Sequence, residues 1–318
     1  LIQCLRKNEK FNVKTLYVEQ HTNLIEDHVS DYSYRWDQKT DNRLNDIISN
    51  IVLYTFEEQF DYVLVQGDTA TVFSMALSAF NQQIPIIHLE AGMRTWDLSS
   101  PYPEEAYRQM ISRIVDIHLC PTENERQNLL LEDIDTTKIF VVGNTVFDNI
   151  KHLHPTTNNK IYITMHRREN KEYFLEYFDQ FKFLADKHKE YEFIFPMHPN
   201  SRSEYESYFI SSGIQVTDPI PYNEFVVNLS NCRMVITDSG GVQEESVFFN
   251  KPVVVCRSHL ERHLCEGRMS FAAIDPSRVP ESFEMALGVT RGIECPYGDG
   301  NASIKVMDAI LYHWENLR

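Results

Sequence analysis

The chain has 318 residues, of which 42% are hydrophobic, enough apolar material for two domain cores rather than one. Its 30 basic and 46 acidic side chains leave a formal charge of −16, which excludes a broad electrostatic footprint for nucleic acid or an anionic membrane; an anionic ligand would need a local basic or helix-end site. Six cysteines (Cys4, Cys120, Cys232, Cys256, Cys265, Cys295) lie far apart with no Cys-x-x-Cys spacing, so neither a zinc or other metal site nor a disulfide framework is signalled.

Those scattered cysteines make a reducing cytoplasm the expected location; no apolar run approaches the roughly 20 residues of a membrane span, and no signal-peptide pattern opens the chain. Leu1 to Lys10 reads as the end of a helix, Val13 to Val18 as a strand, and Leu44 to Phe60 as an amphipathic helix. The apolar run Tyr62 to Val65 leads into Gln66-Gly67-Asp68 and is followed by a helix over Thr69 to Phe80. Ile84 to Leu89 has no helical period and reads as a parallel strand covered on both faces, with Glu90 at its carboxyl end. Pro103 to Ile114 is predicted as a helix whose first turn holds Pro103, Glu104 and Glu105, residue types that suit a helix start. Short strands at Ile117 to Cys120 and Ile139 to Val142 flank a polar helix, Asn124 to Leu131.

Such alternation predicts an α/β fold with a doubly wound parallel sheet. The polar, turn-rich stretch from His152 to Lys160 is predicted as a linker. A second set follows, with strands at Ile161 to Thr164, Phe193 to Pro196, Ile214 to Thr217, Met234 to Thr237 and Pro252 to Cys256, and a helix over Tyr173 to His188. A turn cluster, Pro296-Tyr297-Gly298-Asp299-Gly300, precedes a last helix from Ala302 to Trp314 that could return to the first domain. The division is therefore residues 1–150 joined by 301–318, and residues 151–300.

Two features carry chemistry. Asp68 and Glu90 stand at neighbouring strand ends, the edge of an open parallel sheet where ligands bind. Asp238-Ser239-Gly240-Gly241 is a strand-to-helix turn whose backbone N–H groups and helix N-terminus suit a pyrophosphate, and Glu245 one turn on could accept hydrogen bonds from a ribose diol. The same turn could serve only close packing, and acids after strands are often helix caps. It is not a Gly-x-Gly-x-x-Gly fingerprint, which weakens any case for a nicotinamide cofactor. His166-Arg167-Arg168 is a basic run in an acidic chain and reads as an anion site.

Gly67-Asp68-Thr69, His88-Leu89-Glu90-Ala91-Gly92-Met93-Arg94, Ser100-Pro101-Tyr102-Pro103-Glu104-Glu105, Gly143-Asn144-Thr145, His166-Arg167-Arg168-Glu169-Asn170, Asp238 to Glu245 and Pro296 to Gly300 span nearly the whole chain. In that order they resemble the motifs of the non-hydrolysing UDP-N-acetylglucosamine 2-epimerases. The resemblance implies a glycosyltransferase-B-like fold, with two Rossmann-like domains facing across a cleft. It implies reversible inversion at C2 between UDP-GlcNAc and UDP-ManNAc with no redox cofactor, through elimination of UDP to 2-acetamidoglucal and re-addition. Asp68, Glu90 and Glu104 would form the acid/base set, Glu90 and Glu104 flanking the sugar, and His166 would donate to the departing phosphate. In the second domain Ser239, Gly240 and Gly241 would hold the pyrophosphate, Glu245 the ribose, Phe225 the uracil region, and Arg262 a phosphate or the sugar. Read singly, Phe225 could be core and Arg262 a surface ion-pair former. A UDP-sugar is the implied partner, and a homodimer the implied assembly. Gln20, Arg167 and His198 match parts of a second, activating UDP-sugar site.

Some residues depart from that pattern. A strand and Gly-Thr-Arg-Pro-Glu turn that open family members are not in this sequence, and the expectation is that the numbered residues omit an N-terminal segment, which an intact mass other than 37.3 kDa would reveal. By the same resemblance, Met165 stands where members commonly have a small residue, Ile220 where some have a polar side chain near the uracil, Trp96 varies beside the sugar, and Asn23 replaces a usual glutamine. Trp96 leaves a 6-deoxy UDP-2-acetamido sugar as the alternative substrate. A sugar transferase of the same fold, a hydrolysing epimerase and a nucleotide-sugar sensor are the competing functions.

Overall fold

The computed structural model describes residues 1–18, 30–257 and 264–316. The chain forms two compact units, Leu1–Asp148 with Gly300–Arg318, and Asn149–Asp299. It passes from the first to the second shortly before the turn-rich stretch at 152–160, and returns within the Pro296 to Gly300 turn cluster.

The first unit begins with α1 (Ile2–Arg6), β1 (Leu16–Val18) and β2 (Tyr32–Tyr34). It continues through α2 (Arg43–Ile51), β3 (Val63–Gln66), α3 (Ala70–Asn81), β4 (Ile86–Leu89), α4 (Glu104–Ser112), β5 (Ile117–Cys120), α5 (Glu123–Leu131), β6 (Ile139–Val141) and α6 (Val146–Ile150). Strands β3 to β6 form a parallel sheet in chain order. Every residue of β4 and β5 is buried, which is why both read as continuous apolar runs. One core gathers Ile47, Ile51, Met75, Ala76, Ala79, Ile86 and Ile111 from α2, α3, β4 and α4. Another packs Ile87, Leu89, Ile117 and Leu119 against Val306, Ala309 and Ile310 of the closing helix, Ala302–Asn316. That helix is tied at its start by Asp148, which accepts from the amides of Ala302 at 3.1 Å and Ser303 at 3.0 Å.

Two expectations need correcting here. The predicted helix over Leu44 to Phe60 stops at Ile51. Tyr54 and Phe56 leave the helical path to stack edge-on, with ring centroids 5.1 Å apart, while Gln82 accepts from the Phe56 amide and donates to the Tyr54 carbonyl. Tertiary contacts thus override an unbroken helical pattern. The strand near Val18 does not join the four-stranded sheet among the described residues; it pairs in parallel with Tyr32–Tyr34, a strand too short to stand out in the sequence.

The second unit contains β7 (Lys160–Thr164), α7 (Phe174–Lys187), β8 (Glu192–Pro196), α8 (Pro199–Tyr205), β9 (Ile214–Thr217), α9 (Tyr222–Asn231), β10 (Met234–Thr237), α10 (Gly240–Phe248), β11 (Val253–Val255), β12 (Ser270–Ala272) and α11 (Val279–Leu287). Its parallel sheet has the order β12-β11-β10-β7-β8-β9. The chain enters at β7, builds outward to β9, then crosses back to β10 on the other side of β7. The winding therefore reverses between β7 and β10, opening a crevice beyond their carboxyl ends. An aromatic core of Phe174, Tyr177, Phe178, Phe181, Phe193, Phe195, Phe209 and Phe283 fills this unit.

Candidate active site

In the first unit the β3–β4 register sets Gln66 opposite Leu89, so Asp68 and Glu90 leave adjacent strands at the same edge of the sheet. The turns are fastened to one another. The Gly67 amide donates to the Leu89 carbonyl at 3.1 Å, and His88 Nε2 donates to the Gly67 carbonyl at 2.7 Å. Gln66 Nε2 donates to Glu90 Oε1 at 2.7 Å. Gly67 adopts φ +84°, and a Cβ there would stand 3.9 Å from Glu90 Oε2, so the Glu90 carboxylate lies over the glycine turn that carries Asp68. Glu90 itself has φ +64°, unusual for a residue with a side chain.

Asp68 is held from α4, where Arg108 Nε donates to its Oδ2 at 2.7 Å. Arg108 also reaches Glu105 Oε2 at 3.3 Å. Glu105 is fully buried and accepts from the amides of Thr95 at 3.0 Å and Trp96 at 3.2 Å. It thereby fixes the loop between Glu90 and α4. Glu104, the residue before it, opens α4 with a half-buried side chain. Trp96 follows the amide held by Glu105 into an exposed position with φ +63°.

In the second unit the crevice between β7 and β10 collects His166 and Arg167 from one strand end and Asp238, Ser239, Gly240 and Gly241 from the other. Ser239 caps α10, its Oγ accepting from the Val242 amide at 3.4 Å. The Gly240 and Gly241 amides belong to the first turn of α10, where no helical carbonyl can reach them. A Cβ on Gly241 would find nothing nearer than Ser239 Oγ at 4.0 Å, so that glycine is not crowded, and free amides at a helix start suit an anion.

Glu245 is buried farther along α10 and accepts from the Tyr222 hydroxyl at 2.9 Å. Burial pushes its carboxyl up to about 7, partly offset by that hydrogen bond. Phe225, one turn beyond Tyr222 on α9, is buried and meets Tyr162 edge-on at 5.9 Å. His166 and His198 line one cavity of about 90 Å³ with Met165, Met197, Phe174 and Tyr205. The backbone of Arg167 donates to Asp238 at 2.8 Å. Gln20, Asn23 and Arg262 lie outside the described residues.

The description that matches residues 8–311 is that of the UDP-N-acetylglucosamine 2-epimerase family. The chain belongs to this family. The UDP-N-acetylglucosamine 2-epimerase of Neisseria meningitidis serogroup A is 34% identical over 351 residues, covering 96% of this chain and 93% of the relative. Among solved structures, the N. meningitidis enzyme bound to UDP-GlcNAc aligns with a TM-score of 0.84 at 32% identity, over 98% of this chain and 94% of that one. S. aureus MnaA, in a structure with UDP, aligns with a TM-score of 0.88 at 28% identity, over 99% of this chain and 92% of that one. The α/β fold with parallel sheets is thus the glycosyltransferase-B-like fold of these isomerases, and the chain is classed with them as an isomerase.

Four side chains beside these strand ends, two in each unit, went unassigned in the sequence. Arg108 and Glu105 had a signal, since i and i+3 on a helix face one another. Asp238 was visible only as part of a glycine motif. Tyr222 had none, because its contact with Glu245 joins separate helices.

Proposed function

We propose that the protein interconverts UDP-GlcNAc and UDP-ManNAc by inversion at C2. The observation that carries the reading is the pairing of turns at β3 and β4, which places Glu90's carboxylate over the Gly67-Asp68 turn at the ligand-binding edge of a parallel sheet. The C2 hydrogen is not adjacent to a carbonyl, so direct removal of a proton faces a high barrier. Elimination avoids it. The C1–O bond breaks and its electron pair leaves with UDP; a carboxylate takes the C2 proton, and a C1–C2 double bond forms in 2-acetamidoglucal. Delivery of a proton to the other face of C2, with UDP re-adding at C1, gives the epimer.

Asp68, Glu90 and Glu104 form the acid/base set in this scheme, because a base and an acid are needed on opposite sides of the ring. His166 donates to the departing phosphate. Ser239, Gly240 and Gly241 hold the pyrophosphate through the α10 amides, and Glu245 engages the ribose. The relative solved with UDP-GlcNAc supports the choice of nucleotide sugar.

Proton NMR of UDP-GlcNAc with the protein in deuterated water tests the scheme. Signals of the manno epimer with solvent deuterium at C2 are expected, without any acceptor. Free ManNAc with stoichiometric UDP would assign a hydrolysing enzyme instead, and binding without conversion would overturn the reading.

A further inference from the structure

The switch point of the second unit contains a carboxylate with no part in the scheme above. Asp238 is completely buried at the end of β10, and its side chain crosses the crevice to the loop after β7. Its Oδ2 accepts from the His166 amide at 3.0 Å, the Arg167 amide at 2.8 Å and Asn170 Nδ2 at 3.2 Å, and its Oδ1 stands 3.2 Å from the His166 amide. Burying a carboxylate beside a site meant for phosphate is destabilising unless its lone pairs are filled. Neutral N–H groups fill them here and leave its charge in place. That charge meets the imidazole. His166 Nδ1 lies 3.3 Å from Asp238 Oδ1, while the ring remains 66% exposed.

We propose that Asp238 is the positioning residue for His166, fixing both the backbone of the loop and the orientation of the ring. At 3.3 Å the carboxylate draws the ring's first proton to Nδ1 by charge, so a further proton sits on Nε2. Nε2 is then the atom available to the phosphate of a leaving nucleotide, and the ring does not have to search for this orientation during the reaction. Asp238 acts through His166 and touches neither sugar nor nucleotide. The inference rests on the reading of His166 as donor to the departing UDP.

Two measurements on the full chain test it. The first is 15N NMR of histidine-labelled protein, with His166→Asn as the assignment control. The neutral His166 ring is expected to carry its proton on Nδ1, and Asp238→Asn to shift it toward Nε2; a wild-type ring protonated on Nε2 would overturn the proposal. The second is a double-mutant cycle on kcat. Asp238→Asn should lower kcat by about 10- to 100-fold in the wild-type background. In the His166→Asn background the same change should cost less than about twofold, because its effect runs through the missing ring. Equal losses in both backgrounds would reduce Asp238 to a loop clamp and sink the idea. If Asp238→Asn does not fold, the wild-type tautomer still decides. If the wild type binds UDP-GlcNAc without converting it, the proposed function falls, and the tautomer separately reports whether Asp238 seats the ring.

Discussion

Glu104 and Glu105 are neighbours in the first turn of α4, yet only Glu105 is enclosed, by Arg108 and the amides of Thr95 and Trp96. Successive residues on a helix point about 100° apart, so Glu105 faces the interior while Glu104 stays half-buried. The motif match in the sequence singled out Glu104, but nothing local told the two apart, because the inward face is set by where α4 docks. The difference predicts opposite outcomes for the same substitution. Glu104→Gln should cut kcat by about 100-fold or more and leave the urea midpoint unchanged. Glu105→Gln should lower stability by about 3 kcal/mol, because it breaks a buried ion pair and turns an amide group toward buried N–H donors. Urea denaturation beside steady-state kinetics checks both, and wild-type turnover of Glu104→Gln would remove that residue from the acid/base set.

The central strands β4 and β5 were legible because burial on both faces leaves apolar residues, with one histidine in each as the exception. His88 and His118 are ladder partners on the same face of the sheet, both buried. His88 Nδ1 and both ring nitrogens of His118 have no hydrogen-bond partner among the described residues. Burial pushes His88 down to about 4 and His118 down to about 3, from an ordinary 6.5. Folded histidines thus stay neutral where unfolded ones bind protons. Their contribution is intact above pH 6.5 and is lost as pH falls from about 6.5 toward about 4 for His88 and about 3 for His118. Between pH 7 and 5 the unfolding free energy should drop by about 2 kcal/mol for each, since one pH unit is worth about 1.4 kcal/mol. His118→Phe should flatten that slope in denaturation series, and an unchanged slope would place the loss elsewhere. The loop after β4 gives a sharper case. Gly92 has φ +88°, and a Cβ there would sit 2.3 Å from the Glu125 carbonyl oxygen, so Gly92→Ala must displace α5 or fail to fold, as circular dichroism would show.

At the scale of the whole molecule, chain order and packing part company. Alternation of strands and helices was enough to read two α/β sets from the sequence, since each buried strand needs cover on both faces. Which unit the last helix would serve was only suggested by the turn at Pro296 to Gly300; its apolar face carries no address. The packing supplies it. Val306 is fully buried, and Ala309 and Ile310 nearly so, against Ile87, Leu89, Ile117 and Leu119. The aromatic core of the second unit is built wholly from its own residues. Ile310→Ala should therefore cost about 3 kcal/mol from lost transfer energy and the cavity left behind, and the loss should appear far away in sequence. In hydrogen exchange, the amides of β3, β4 and β5 should lose protection. Those of β7 and β10, although nearer to residue 310 along the chain, should keep theirs, because the described core around them is made of their own unit's residues. Equal loss in both sheets would mean that the two units unfold as one, and that the cores are coupled by more than the shared chain.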